Sequence, residues 1–138
     1  GLIRRRVADG VMDPVVHFEI PAKDVKRAVA FYSKAFGWNI NQFPGFEYWM
    51  VGTAETDKNG MPKSPGSING GMGKKGVMAP KAVTVTISVA DIDSSMKTVK
   101  KLGGSPVGKK MPVGEMGWSA YFEDTEGNLI GLFQNKQM

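Results

Sequence analysis

Two stretches of this chain alternate apolar and polar side chains with a period of two. Each then runs into a stretch whose apolar side chains recur at spacings of three and four. Val15-Val16-His17-Phe18-Glu19-Ile20 changes face at every step as a strand does, and Pro21-Ala22 interrupts it. From Asp24 the period lengthens. Val25, Ala28, Val29, Tyr32, Ala35 and Phe36 fall on one side of a helix, Lys23, Lys26, Arg27 and Lys34 fall elsewhere, and Gly37 follows as a left-handed cap. About 67 residues later the same plan recurs. Val83, Val85, Ile87 and Val89 alternate with Thr84, Thr86 and Ser88, and Asp91 then opens a helix whose apolar side is Ile92, Met96, Val99 and Leu102. Gly103-Gly104 closes it.

Three strand candidates follow each helix: residues 38–42, 46–51 and 68–72 in the first half, and residues 108–113, 118–123 and 128–134 in the second. Strand, helix and three strands, twice over, predict one domain spanning residues 12–138, with repeat one at about 12–76 and repeat two at about 80–136. Residues 1–11 have no periodicity, and Met12 stands directly before Asp13-Pro14, so residues 1–11 read as a leader outside the domain or a loose tail.

Composition narrows the function classes. A chain of 138 residues can bury a core without a staple. The absence of cysteine removes disulfides, thiolate metal sites and a cysteine nucleophile together. No apolar run approaches the roughly 18 residues of a bilayer span, so no membrane association is expected and the cytoplasm is the expected location. The formal charge is +5, of which Arg4, Arg5 and Arg6 against Asp9 supply +2. The other basic residues are spread as Lys74-Lys75, Lys100-Lys101 and Lys109-Lys110 with no interleaved aromatics, and no nucleic-acid partner is expected. Within the Gly-rich segment from Thr56 to Gly76, Ser67 to Lys75 fails the spacing of a phosphate loop, and the segment reads as a loop at the rim of a cavity.

Several short pieces, in order, carry a family resemblance: Asp24 with Arg27-Ala28-Val29-Ala30-Phe31-Tyr32, then Phe36-Gly37-Trp38, Ala90-Asp91-Ile92-Asp93 and Leu102-Gly103-Gly104. The last is Asp124-Thr125-Glu126-Gly127-Asn128-Leu129-Ile130-Gly131-Leu132-Phe133-Gln134. From Val15 to Gln134 the chain resembles the vicinal oxygen chelate superfamily, which includes glyoxalase I, bleomycin-resistance proteins and extradiol dioxygenases. The resemblance implies an α+β fold in which two βαβββ repeats form a curved eight-stranded mixed sheet, with helices over one face and a concave cavity on the other. It also implies a homodimer, since halves in this superfamily often complete each other's cavities across a two-fold axis.

The resemblance further implies four ligand places in the metal-dependent members, on the first and last strands of each repeat. Here His17 stands on the first and Thr84 is its counterpart in the second half. The first-half carboxylate place falls near Asn69 or Gly70. The second-half place, where a Glu commonly follows Asn-Leu-Ile, is Gly131, which has no side chain to bind anything. His17 is the only histidine in the chain, and a two-fold dimer would supply one to each of two equivalent sites. No metal and no other cofactor are therefore expected.

The chemistry of His17 has two readings. It lines a polar patch, hydrogen-bonded to Glu19 or Thr84, or it is a metal-free general base with Glu19 orienting it or acting itself. His17 and Glu19 are thus the catalytic candidates, with Glu47 a weaker carboxylate partner. Tyr48, Trp49, Asn69, Thr84, Thr86, Trp118, Tyr121 and Gly131 are the ligand-binding candidates. For the aromatics among them and Phe46, core packing competes with stacking on a planar ligand. The expected function is metal-independent binding of a small organic molecule, as in the bleomycin-resistance branch. The alternative is a lyase or isomerase acting on a carbonyl compound, with His17 and Glu19 as acid and base.

Overall fold

A computed structural model describes residues 12–136, so the reading of residues 1–11 lies outside the described part. Its contacts divide the chain into two compact units, one of residues 17–84 and one formed by residues 12–16 with residues 85–136. The described residues hold eight strands and two helices in the order strand, helix, three strands, repeated once. This is the α+β repeat that the sequence predicts.

The first repeat comprises β1 (Val15–Ala22), α1 (Val25–Phe36), β2 (Asn39–Gln42), β3 (Tyr48–Gly52) and β4 (Asn69–Lys74). Asp24 opens α1 by accepting from the Arg27 backbone N–H, and Gly37 closes it in the left-handed conformation at φ 71°. The strands of this unit lie in the order β2-β3-β4-β1. β4 runs parallel to β1, with His17 opposite Asn69 and Glu19 opposite Gly71, and antiparallel to β3. Pro21 and Ala22 extend β1 rather than end it, because Pro21 pairs with Gly73 and Ala22 with Lys74 at the end of the ladder. The core of this unit is Ala22, Val51 and Met72, covered by Val25, Ala28, Val29 and Tyr32 of α1 and by Trp38 and Trp49. The Tyr32 and Trp38 rings stack at 5.0 Å and 5°.

The second repeat comprises β5 (Thr84–Ser88), α2 (Ile92–Lys101), β6 (Ser105–Val113), β7 (Gly117–Glu123) and β8 (Leu129–Asn135). In it the order is β5-β8-β7-β6, with β5 and β8 parallel and the other pairs antiparallel. Asp91 caps α2 by accepting from the Ser94 N–H. Val89, Ile92, Ala120, Phe122 and Leu132 form the core, with Ile87, Met96, Val99, Trp118 and Ile130 packed against it. Leu102, expected on the apolar side of this helix, is instead an exposed C-cap residue.

The hairpin joining β7 to β8 accounts for the Asp124-to-Asn128 piece of the sequence pattern. The Asp124 carboxylate accepts from the backbone N–H groups of Glu126 and Asn128 and from the Asn128 amide. Those bonds, the Asn128 ones foremost, hold its carboxyl below the usual range, and Gly127 takes φ 84° to complete the turn.

Candidate functional site

Alternation along β1 puts Phe18, Ile20 and Ala22 into the core and His17 and Glu19 on the opposite face. Glu19 is buried at 8% exposure. A carboxylate so far from water needs donors. The Tyr48 hydroxyl supplies one, donating to Glu19 Oε2 at 2.9 Å. The same hydroxyl oxygen lies 3.4 Å from His17 Nε2. Glu19, Tyr48 and His17 thus form one hydrogen-bonded string, built from two adjacent same-face positions of β1 and one residue of β3.

β4 makes the string possible. Asn69 to Gly73 carries side-chain bulk inward only at Met72, which is wholly buried. On the other face stands Gly71, opposite Glu19, and a Cβ placed on Gly71 would overlap the Tyr48 hydroxyl and ring. Gly71 is not among the glycines of positive φ, so its want of a side chain serves space rather than backbone conformation. The strand expected at residues 68–72 is thus β4, Asn69–Lys74, and it lies within the Gly-rich segment from Thr56 to Gly76 that by sequence also reads as a rim loop. Before it, the loop closes on Thr56 paired with Pro62.

Burial lowers the His17 pKa, and the neighbouring Glu19 charge partly opposes that shift. The ring is accordingly neutral at neutral pH. The unfolded chain then binds a proton more readily than the folded one as pH falls through the ordinary histidine value of about 6.5. His17 is expected to contribute stability above that pH and to lose the contribution progressively down to its lower folded value. Denaturant midpoints of a His17→Gln variant measured from pH 8 to pH 5 should fall less steeply with acid than those of the native chain; parallel curves would remove His17 as the cause.

The second repeat carries a related arrangement with different chemistry. Thr86 pairs with Gly131 as Glu19 pairs with Gly71, 67 residues earlier on the first strand and 60 earlier on the last. Thr86 is buried, and the Tyr121 ring packs beside Gly131, with Cε1 3.4 Å from where a Cβ would stand. Thr84 is also buried, and its hydroxyl donates to the Ala82 carbonyl at 2.9 Å.

Three ligand-binding candidates have partners of their own away from the string. Trp49 and Trp118 face the helix-packed cores of their repeats, because each is odd-numbered or even-numbered in step with Val51 and with Ala120 and Phe122. Trp118 also takes Lys110 Nζ 5.0 Å over its ring. Asn69 shares the face of His17 by register, yet its Oδ1 accepts from the Thr53 and Ala54 N–H groups at 2.8 and 3.2 Å and so secures the chain after β3. Tyr48 and Tyr121, one step out of phase with the tryptophans, lie on the side of Glu19 and of Gly131 respectively. Gly71 was missed. The 67-residue offset that equates Glu19 with Thr86 would carry Gly131 back to Ser64 rather than to Gly71, and a run of glycines gives no side-chain pattern to fix the register.

A metal ion, which metal-dependent proteins of this fold bind, does not suit these residues. Glu19 is engaged by Tyr48, the corresponding places of the second repeat are threonine and glycine, and no group of three or more His, Cys, Asp or Glu able to hold a metal occurs among the described residues. A cleft of about 540 Å³ lies apart from the string, lined by Gly37, Asn39, Gly52 and residues 53–56, with Glu55 its one titratable group.

Comparison with known proteins gives a consistent family. Residues 15–54 match the family model of bleomycin resistance protein-like N-terminal domains. A glyoxylase-like domain-containing protein of Didymella fabae is 34% identical over 114 residues, covering 80% of this chain and 84% of that protein. Among solved structures, a Streptomyces coelicolor methylmalonyl-CoA epimerase in complex with 2-nitronate-propionyl-CoA superposes with TM-score 0.62 at 15% identity, over 88% of this chain and 96% of that one. A glyoxalase/bleomycin resistance protein/dioxygenase superfamily member from Vibrio splendidus 12B01 gives TM-score 0.56 at 14% identity, over 90% and 99%. The chain belongs to the vicinal oxygen chelate superfamily and has its glyoxalase/bleomycin-resistance fold. No described helix is long and apolar enough to cross a membrane.

Proposed function

We propose that this protein binds a small organic molecule without a metal, on the polar face that carries His17, Glu19 and Tyr48. The hydrogen-bonded string from Glu19 through Tyr48 to His17 carries the reading. It ties the one imidazole and the nearest carboxylate to a phenol and so presets a polar patch on rigid strands, which is how a binding site gains specificity at low entropic cost. The reading includes a cytoplasmic homodimer, supported by the cysteine-free composition and by the superfamily's habit of sharing cavities across a two-fold axis.

The neutral state of His17 supports a second reading, a lyase or isomerase in which His17 and Glu19 move a proton next to a carbonyl. One experiment separates the two. A thermal-shift screen of planar aromatic and carbonyl compounds, run with a chelator present, should return compounds that add about 2.7 kcal/mol at 100 times their dissociation constant. Stabilisation that appears only after zinc, nickel, iron or manganese is added would overturn the metal-free reading. Each compound that binds is then incubated with the protein. Chemical conversion that falls about 10²–10⁴-fold in His17→Ala selects the enzyme, and unchanged compound selects the binding protein.

A further inference from the structure

A phenol has one proton to give and lone pairs with which to accept. The Tyr48 proton goes to Glu19 Oε2 at 2.9 Å, a shorter contact than the one to His17 and one made to a carboxylate. Toward His17 the same oxygen is therefore left as an acceptor, and Nε2, 3.4 Å away, is the nitrogen that must bring the hydrogen. In a neutral imidazole only one ring nitrogen is protonated. The other, Nδ1, then holds the lone pair, and the structure gives it no hydrogen-bond partner among the described residues.

The geometry points to Tyr48 as the positioning residue that sets the His17 tautomer, protonated at Nε2 and basic at Nδ1, with Gly71 as the gap that lets the Tyr48 hydroxyl reach both partners. The consequence is a ligand class. A molecule that meets Nδ1 must bring a donor, such as a hydroxyl, an N–H or an acidic C–H, whereas a bare carbonyl or carboxylate oxygen would face a lone pair. This inference rests on the reading of this face as the binding site, but the tautomer itself is independent of any ligand.

Because His17 is the only histidine, uniform ¹⁵N labelling yields a single pair of imidazole nitrogen resonances, read without ligand at a pH where the ring is neutral. In the native chain Nε2 should resonate as a protonated, pyrrole-type nitrogen and Nδ1 as a pyridine-type one. In Tyr48→Phe both should move toward each other as the two tautomers mix, and Gly71→Ala should do the same by displacing the Tyr48 ring. A native spectrum with the proton on Nδ1, or an unchanged pair of resonances in the folded variants, would overturn the inference. If Tyr48→Phe does not fold, the native spectrum and Gly71→Ala still decide. A correct tautomer in a protein that binds nothing would count against the proposed function and leave this inference standing.

Discussion

Met72→Ala is expected to lower the free energy of unfolding by about 2–5 kcal/mol, the range for truncating a fully buried large side chain. Met72 has no exposed surface, and it sits on β4 between Gly71 and Gly73, with Gly70 on its own face two residues earlier. That stretch has no other side chain to move into the space, and the large neighbours on the same core face, its strand partners Ile20 and Trp49, are held in place by their own ladders. The site is poorly able to collapse, which places the loss toward the upper part of the range. Urea or guanidinium unfolding measures it. A loss under about 1 kcal/mol would mean that α1 settles onto the sheet and that this core is looser than its packing suggests.

The second large effect separates two glycines in matching places. Gly71→Ala should destabilise by about 1–3 kcal/mol through overpacking, because the new methyl overlaps the Tyr48 hydroxyl and ring. Displacing that hydroxyl also removes its charge-assisted bond to the buried Glu19, a contact worth about 1.5–3 kcal/mol. Gly131→Ala should be far milder. Its methyl would stand 3.0 Å from Thr86 Oγ1 and 3.4 Å from Tyr121 Cε1, a crowding that a few tenths of an ångström of side-chain movement relieves. Comparing the denaturation midpoints of the two variants tests the assignment directly. Equal losses would show that the space above Gly71 is not specifically Tyr48's, and would also weaken the tautomer argument.

Much of the architecture was legible in the order of residues. The period-two and period-3.6 stretches, the Asp24 and Asp91 caps and the left-handed Gly37 all depend on neighbours within a few positions, so local pattern suffices to place them. The doubled plan predicted the doubled unit. The candidate site was legible in part. His17 and Glu19 share a face by simple alternation, and Tyr48 and Tyr121 follow once a face is assigned to Val51 and Phe122. For Trp49 and Trp118 the sequence left core packing and ligand stacking both open, because an aromatic on a strand looks alike on either face, and only the position of the helix says which face is the core.

By itself the sequence determined the two repeats and the poverty of metal ligands. The first follows from local periodicity, and the second from counting, since one histidine and a glycine at position 131 cannot be rearranged into a histidine-rich centre by any fold. Only the tertiary structure decided that Tyr48 reaches between Glu19 and His17 over Gly71. That contact joins three strands whose registers are set by long-range pairing, Glu19 against Gly71 and Tyr48 against Gly73. Across a glycine run a slip of one residue leaves almost no mark on the hydrophobic pattern while moving every facing atom to the other side of the sheet.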